Sequence, residues 1–170
     1  MRKSLIASLA FLLATSTAAF AAGPANGFVK IGILNDQSGV YADFGGKSSV
    51  EAAKMAAEDF GGKVLGVPIE IIDADHQNKP DIASNIARQW YDQDHVDAIM
   101  ELTTSSVALA VQAVAKEKKK IDIVTGAATS DLTGKQCSPY GFHWAYDTHA
   151  LAVGTGGALV KQGGDTWFFL

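Results

Sequence analysis

Two stretches place small hydroxyl-bearing residues directly behind apolar runs. Thr103-Thr104-Ser105-Ser106 follows Val96 to Leu102 and precedes a helical pattern that begins at Val107. Hydroxyls in that position can cap the helix, and the free amides of its first turn favour an anion such as a carboxylate. Capping needs one hydroxyl where four are present, so ligand contact and capping alone stand level on local sequence. The second stretch, Gly126 to Asp131, follows Ile121 to Thr125. Ala127 and Ala128 leave the main chain bare, so their carbonyls could meet a donor such as an ammonium group, and Thr129 adds a hydroxyl. An ordinary turn after a strand is the plainer reading of that segment. A third stretch, Asn35 to Gly46, sets Tyr41 and Phe44 among glycines and polar residues. Aromatics in a loop can wall a pocket or serve as packing.

Other chemistries lack their residues. No G-x-G-x-x-G follows the first strand, and Gly45-Gly46-Lys47-Ser48 shares only the tail of a phosphate loop. There is no G-x-S-x-G elbow. Cys137 lies near His143 in sequence, which alone makes no catalytic dyad. His76, His95, His143 and His149 lack the i, i+4 pairing of a helical zinc site. His76 beside Asp73 and Asp75 reads as a solvated strand end ahead of a metal site. No catalytic residue, metal site or cofactor is expected.

Elements must bring the three loops together. Phe28 to Leu34, Val67 to Asp73, Val96 to Leu102 and Ile121 to Thr125 read as strands. Helices are expected between them. Lys47 to Phe60 carries a stripe of Val50, Ala53, Ala57 and Phe60 and stops at Gly61-Gly62. A second helix is capped by Asn78, has Pro80 in its first turn, and buries Ile82, Ile86, Ala87, Trp90 and Tyr91. The third, Val107 to Lys118, buries Val107, Ala110, Val111 and Val114. Strands alternating with amphipathic helices predict an α/β fold, an open doubly wound parallel sheet flanked by helices. Strand 1 is expected at the centre with the third strand beside it. Ligands of such sheets bind at the carboxyl ends of the strands, where the order reverses. That places all three loops at one rim. Beyond them, Asp147-Thr148 can cap a helix over Leu151 to Gln162, and Thr166 to Leu170 reads as the start of an apolar strand that looks cut off.

Gross features set the compartment and the partners. Arg2 and Lys3, the apolar run Leu5 to Leu13, and Ala19-Phe20-Ala21 are ordered as in an export signal cleaved after Ala21. Without Arg2 and Lys3, 12 of the 14 basic residues face 18 acidic ones, a charge of −6. Such a chain has no general electrostatic attraction to nucleic acid. The basic cluster Lys116, Lys118, Lys119 and Lys120 reads as complementing a helix C-terminus. The single cysteine, Cys137, excludes an intrachain disulfide.

Val29 to Asp147 resembles the N-terminal lobe of the periplasmic solute-binding proteins of ABC importers, in their two-lobed, leucine/isoleucine/valine-binding branch. The likeness runs through I-G-I-L-N-D-Q-S-G (Ile31 to Gly39), F-G-G (Phe44 to Gly46), D-H-Q-N-K-P-D (Asp75 to Asp81) and T-T-S-S (Thr103 to Ser106). T-G-A-A-T-S-D-L-T (Thr125 to Thr133) is its most specific piece. The resemblance implies that Thr104 and Ser105 contact the ligand on one side. Ala127, through its backbone, and Thr129 do so on the other, and Phe44 covers it. Tyr41 joins this set from the first loop. His76 and Thr103 stand where some relatives carry a disulfide. Phe142-His143-Trp144-Ala145-Tyr146 departs from the usual motif toward the aromatic-acid branch, so both a branched-chain amino acid and an aromatic carboxylate stay open as ligand.

The same resemblance implies a periplasmic protein, monomeric when complete, that closes over a small molecule and docks on an inner-membrane permease. It divides the chain into a signal at 1–21, an N-terminal ligand-binding lobe at 22–146, and the start of a second, truncated lobe at 147–170. A sensor of the same fold, a doubly wound hydrolase and a non-functional fragment are the alternatives.

Overall fold

The computed structural model describes Pro24 and residues 26–168, so the expected export signal and Phe169-Leu170 lie outside the described residues. Six strands form one sheet: β1 (Val29–Asn35), β2 (Lys63–Val64), β3 (Val67–Asp75), β4 (Ala98–Glu101), β5 (Ile121–Val124) and β6 (Gly141–His143). Their order is β2-β3-β1-β4-β5-β6. β3, β1, β4, β5 and β6 run parallel, and β2 alone is antiparallel to its neighbour β3. The chain moves outward from β1 to β3 and then returns across β1 to β4. The carboxyl ends of β1 and β4 therefore flank the point of reversal, as the alternation of elements predicted.

Three helices cross between the strands: α1 (Gly46–Asp59), α2 (Pro80–Asp92) and α3 (Ser105–Lys118). α2 and α3 pack together on one face. There Leu34, Ile99 and Val124 from the sheet meet Ala83, Ala87, Trp90, Val107, Val111 and Val114 in a single buried core. The Trp90 indole packs against Gly32, where any Cβ would run into the ring. α1 takes the opposite face and buries Val50. Its expected stripe fails at Phe60, which is 67% exposed. α1 spans only part of its face, and Phe60 sits at its C-cap on the rim of an apolar groove of about 280 Å³ beside Ile31, Ile69, Ile71 and Met100.

Several boundaries differ from the pattern reading. Lys63–Val64 and Val67 form a hairpin turned by Leu65 and Gly66, both at positive φ. β6 pairs with β5 through Asp122↔Gly141 and Val124↔His143, in a segment not expected to be a strand. Asn78 does not cap α2. The cap position is Lys79, without a side-chain bond, and Pro80 opens the helix as expected. Lys116 and Lys118 sit in the last turn of α3, where they complement its dipole; Lys118 also pairs with Asp92 at 2.7 Å.

Asp147 caps the terminal helix, its Oδ1 accepting from the Ala150 amide at 2.6 Å. This helix runs through α4 (Thr148–Ala150), a π-helical segment (Leu151–Gly156) and α5 (Gly157–Lys161). It starts earlier than expected and has no buried residue. Thr166 to Phe168 form no strand, because no strand of the sheet lies alongside to supply the ladder bonds.

Asp122 of β5 is fully buried, and neither carboxylate oxygen has a partner among the described residues. Burial pushes its pKa up to about 7.

Two outcomes follow from this packing. Gly32→Ala should lower the free energy of unfolding by about 1–3 kcal/mol, read as a lower urea midpoint. Because the folded-state pKa of Asp122 lies above its ordinary value of 3.8, its contribution is fully present below that value and is lost as pH rises through about 7. Asp122→Asn should therefore leave stability nearly unchanged at acid pH and raise it, by on the order of a few kcal/mol, at alkaline pH. Denaturant unfolding at both pH values reads the difference.

Candidate ligand-binding site

The loop after β1 is held from below. Asp36, fully buried, accepts from the amides of Gly39 at 2.8 Å and Tyr41 at 3.0 Å. Asp75 at the end of β3 accepts from the amides of Gln37 (2.9 Å) and Gln77 (2.7 Å) and from the Ser38 hydroxyl (2.5 Å). Burial works to raise the Asp75 pKa, but these bonds outweigh it and hold the carboxyl below its ordinary range. The neighbouring His76 is buried, its Nδ1 accepting from the Asn78 amide at 2.9 Å. Desolvation keeps its pKa low against the pull of Asp36 and Asp75. Asp75 and His76 are thus absorbed in holding loops. So tethered, the first loop lifts Tyr41 (41% exposed) and Phe44 (64% exposed) above the sheet edge.

The loop after β4 opens α3 without a side-chain cap. Thr104, at the cap position, donates its hydroxyl to Asn78 Oδ1 at 2.8 Å and leaves the first-turn amides of α3 open. The loop after β5 touches this one directly, since a Cβ on Gly126 would sit 3.0 Å from Thr103 Cα. Its carbonyls are engaged: Ala127 accepts from His143 Nε2 at 2.7 Å and Ala128 from the Thr148 amide at 2.7 Å.

Between the loops lies an open hollow of about 270 Å³. Tyr41 and Phe44 wall it from the first loop, Thr103, Thr104 and Ser105 from the second, and Gly126, Ala127 and Ala128 from the third. Tyr146 closes the ring from beyond β6. None of these lining side chains carries a formal charge at neutral pH. Hydroxyls and the positive end of α3 face a cleft edged by three aromatic rings, an arrangement suited to a small anion with an apolar body.

Residues 29–170 match the family model described as periplasmic binding protein. The chain belongs to the periplasmic binding proteins. A periplasmic binding protein from Burkholderia mallei is 54% identical with a TM-score of 0.80, over 85% of this chain and 38% of that one. A branched chain amino acid ABC transporter periplasmic ligand-binding protein from Burkholderia xenovorans LB400 is 43% identical (TM-score 0.77), over 82% of this chain and 37% of that one. An ABC transporter solute binding protein from Rhodopseudomonas palustris BisB5, in complex with 3,4-dihydroxy benzoic acid, is 27% identical (TM-score 0.73), over 81% and 37%. This chain spans little more than a third of the length of these three proteins. Among curated proteins, none matches it.

In this periplasmic binding protein, five of the six site residues read from sequence border the hollow: Tyr41, Phe44, Thr104, Ser105 and Ala127. Thr129 does not. Its hydroxyl accepts from the Asp131 amide at 3.3 Å and caps the short 3-10 turn Ser130–Leu132. The Ala127 carbonyl, expected to be open to a donor, is taken up by His143. Tyr146 is a wall residue that sequence patterning does not single out; its return over the cleft follows from the pairing of β6 with β5, which a three-residue strand does not announce.

Gly126→Val would force a branched side chain against the Thr103 backbone. Amide shifts by NMR should then move in residues 103–105 and 126–128 together, with a loss of about 1–3 kcal/mol in unfolding free energy.

Proposed function

We propose that this chain is the first lobe of an extracytoplasmic solute-binding protein that captures a small carboxylate-bearing solute and delivers it to an ABC permease. One observation carries the reading: the uncapped amino end of α3 and its hydroxyls face a cleft lined by uncharged residues and edged by exposed aromatics. A carboxylate received there would be held by amide and hydroxyl donors, with the helix dipole adding up to about 2 kcal/mol. The Ser105 hydroxyl and the main-chain amides at Thr104, Ser105 and Ala127 hold the charged end, the Thr104 hydroxyl proton being already given to Asn78. Phe44, Tyr41 and Tyr146 cover the body.

An aromatic acid fits this donor-rich rim better than an amino acid. The two carbonyls best placed for an ammonium group, those of Ala127 and Ala128, each already accept one bond within the protein, which leaves each a single lone pair for such a donor. Relatives in complex with 4-hydroxybenzoate and with benzoate, each 26% identical, support the same preference. The branched-chain amino acid reading rests on the Burkholderia xenovorans relative at 43% identity. Both ligand classes share the carboxylate.

Residues 1–21 serve as the export signal, 22–146 as the first lobe, and 147–170 as the entry to a second. Capture completes when that second lobe swings over the solute and excludes water, which strengthens the polar contacts. No bond is made or broken, and the complete protein acts as a monomer.

Calorimetry with benzoate, benzamide and isoleucine tests the proposal. Benzoate should bind the chain with a dissociation constant weaker than about 10 μM, because one lobe encloses only one side, and at least about tenfold tighter than benzamide. Equal binding of benzoate and benzamide, or no binding of any carboxylate at millimolar concentration, would overturn it.

A further inference from the structure

At the end of β4, two consecutive residues that are not glycine lie at positive φ: Glu101 at 85° and Leu102 at 56°. Such conformations are costly for residues with a side chain and persist only where surrounding contacts over-determine them. The contacts are present. The Leu102 amide donates to the Leu34 carbonyl of β1 at 3.0 Å, and the Thr125 amide beyond β5 donates to the Glu101 carbonyl at 3.0 Å. The unusual backbone turns the Glu101 side chain onto the α1 face, away from the buried Leu102. There its Oε1 accepts from the Ser49 hydroxyl in the first turn of α1 at 2.8 Å, and its Oε2 accepts from the Thr125 hydroxyl. Gly45 closes over the same carboxylate; a Cβ there would lie 2.7 Å from Oε1.

We propose that Glu101 is the positioning residue that sets the spacing of the three ligand-site loops, acting through Ser49 and Thr125 without touching ligand. Each group it holds leads to a wall of the cleft. The Ser49 amide donates to the Gly45 carbonyl at 3.0 Å, and Gly45 follows Phe44; Thr125 precedes Gly126; Thr103 and Thr104 continue from Glu101 and Leu102. A single carboxylate thereby connects loops that are far apart in sequence. The inference rests on the proposed site for its functional meaning, while the tie itself is readable without any ligand.

Hydrogen–deuterium exchange on the whole chain compares the unaltered protein with Glu101→Met and Glu101→Gln. Methionine keeps the bulk and loses both acceptors. Glutamine accepts from one hydroxyl and donates to the other, which can turn to receive it. Glu101→Met should speed exchange about tenfold in residues 44–50, 103–107 and 125–129 together, with α2 unchanged, and Glu101→Gln should restore protection in all three. Exchange that rises evenly through α2 as well would mean a merely structural role, and exchange that stays as in the unaltered protein would mean no tie; either overturns the inference. Should Glu101→Met fail to fold, Ser49→Ala and Thr125→Val decide. The first should loosen 44–50 and the second 125–129, and silence in both overturns the proposal. With benzoate as probe, Glu101→Met should weaken binding at least about tenfold and Glu101→Gln by less than about threefold. If benzoate does not bind the unaltered chain, the carboxylate reading fails, and the exchange result still decides the role of Glu101.

Discussion

The site depends on one constraint: parallel strands of unequal reach must end at a common edge while their loops stay apart by the width of a small molecule. Parallel pairing brings the ends of β1, β4 and β5 to one side. It does not by itself prevent the loops from collapsing on one another or splaying. Here the separation is built from bonds made just below the loops. Buried Asp36 and half-buried Asp75 shape the first loop, Asn78 takes the Thr104 hydroxyl, and Glu101 joins the start of α1 to the end of β5. The polar groups beneath the cleft are mostly spent on one another. Those at its surface, the opening amides of α3 above all, are left available.

The two faces of the sheet are unequal. α2 and α3 cover most of one face, with Trp90 packed against Gly32 and the valines of α3 filling the middle. The other face has α1 alone, and its aliphatic side chains border an apolar groove. The terminal helix, capped by Asp147, contributes no buried side chain. Hydrophobic burial on the α2–α3 face therefore carries most of the packing free energy of the described residues, and the binding edge is supported chiefly from that side.

Much of this was legible in the residues. The alternation of apolar runs with 3.6-residue patterns gave the order and type of every major element, and the reversal of strand order followed from that alternation. The hydroxyl and small-residue loops were readable because their composition exceeded what capping or turning requires. Two expectations turn on partners distant in sequence: Asn78 is no cap because its Oδ1 receives the Thr104 hydroxyl, and the Ala127 carbonyl is not open because it accepts from His143, 16 residues on. Thr129 is engaged locally, its hydroxyl accepting from the Asp131 amide. β6 escaped notice because three residues carry too little periodicity to mark a strand.

By itself, the sequence determined the class of fold, the edge at which the loops meet and the chemical character of two of them, since periodicity and side-chain type are properties of neighbours along the chain. Only the tertiary structure decided which polar groups remain free. A hydroxyl proton already given to another part of the protein cannot be given to a ligand, and a carbonyl that already accepts one bond keeps only one lone pair for it; that competition is settled by the packing of strands and loops in three dimensions.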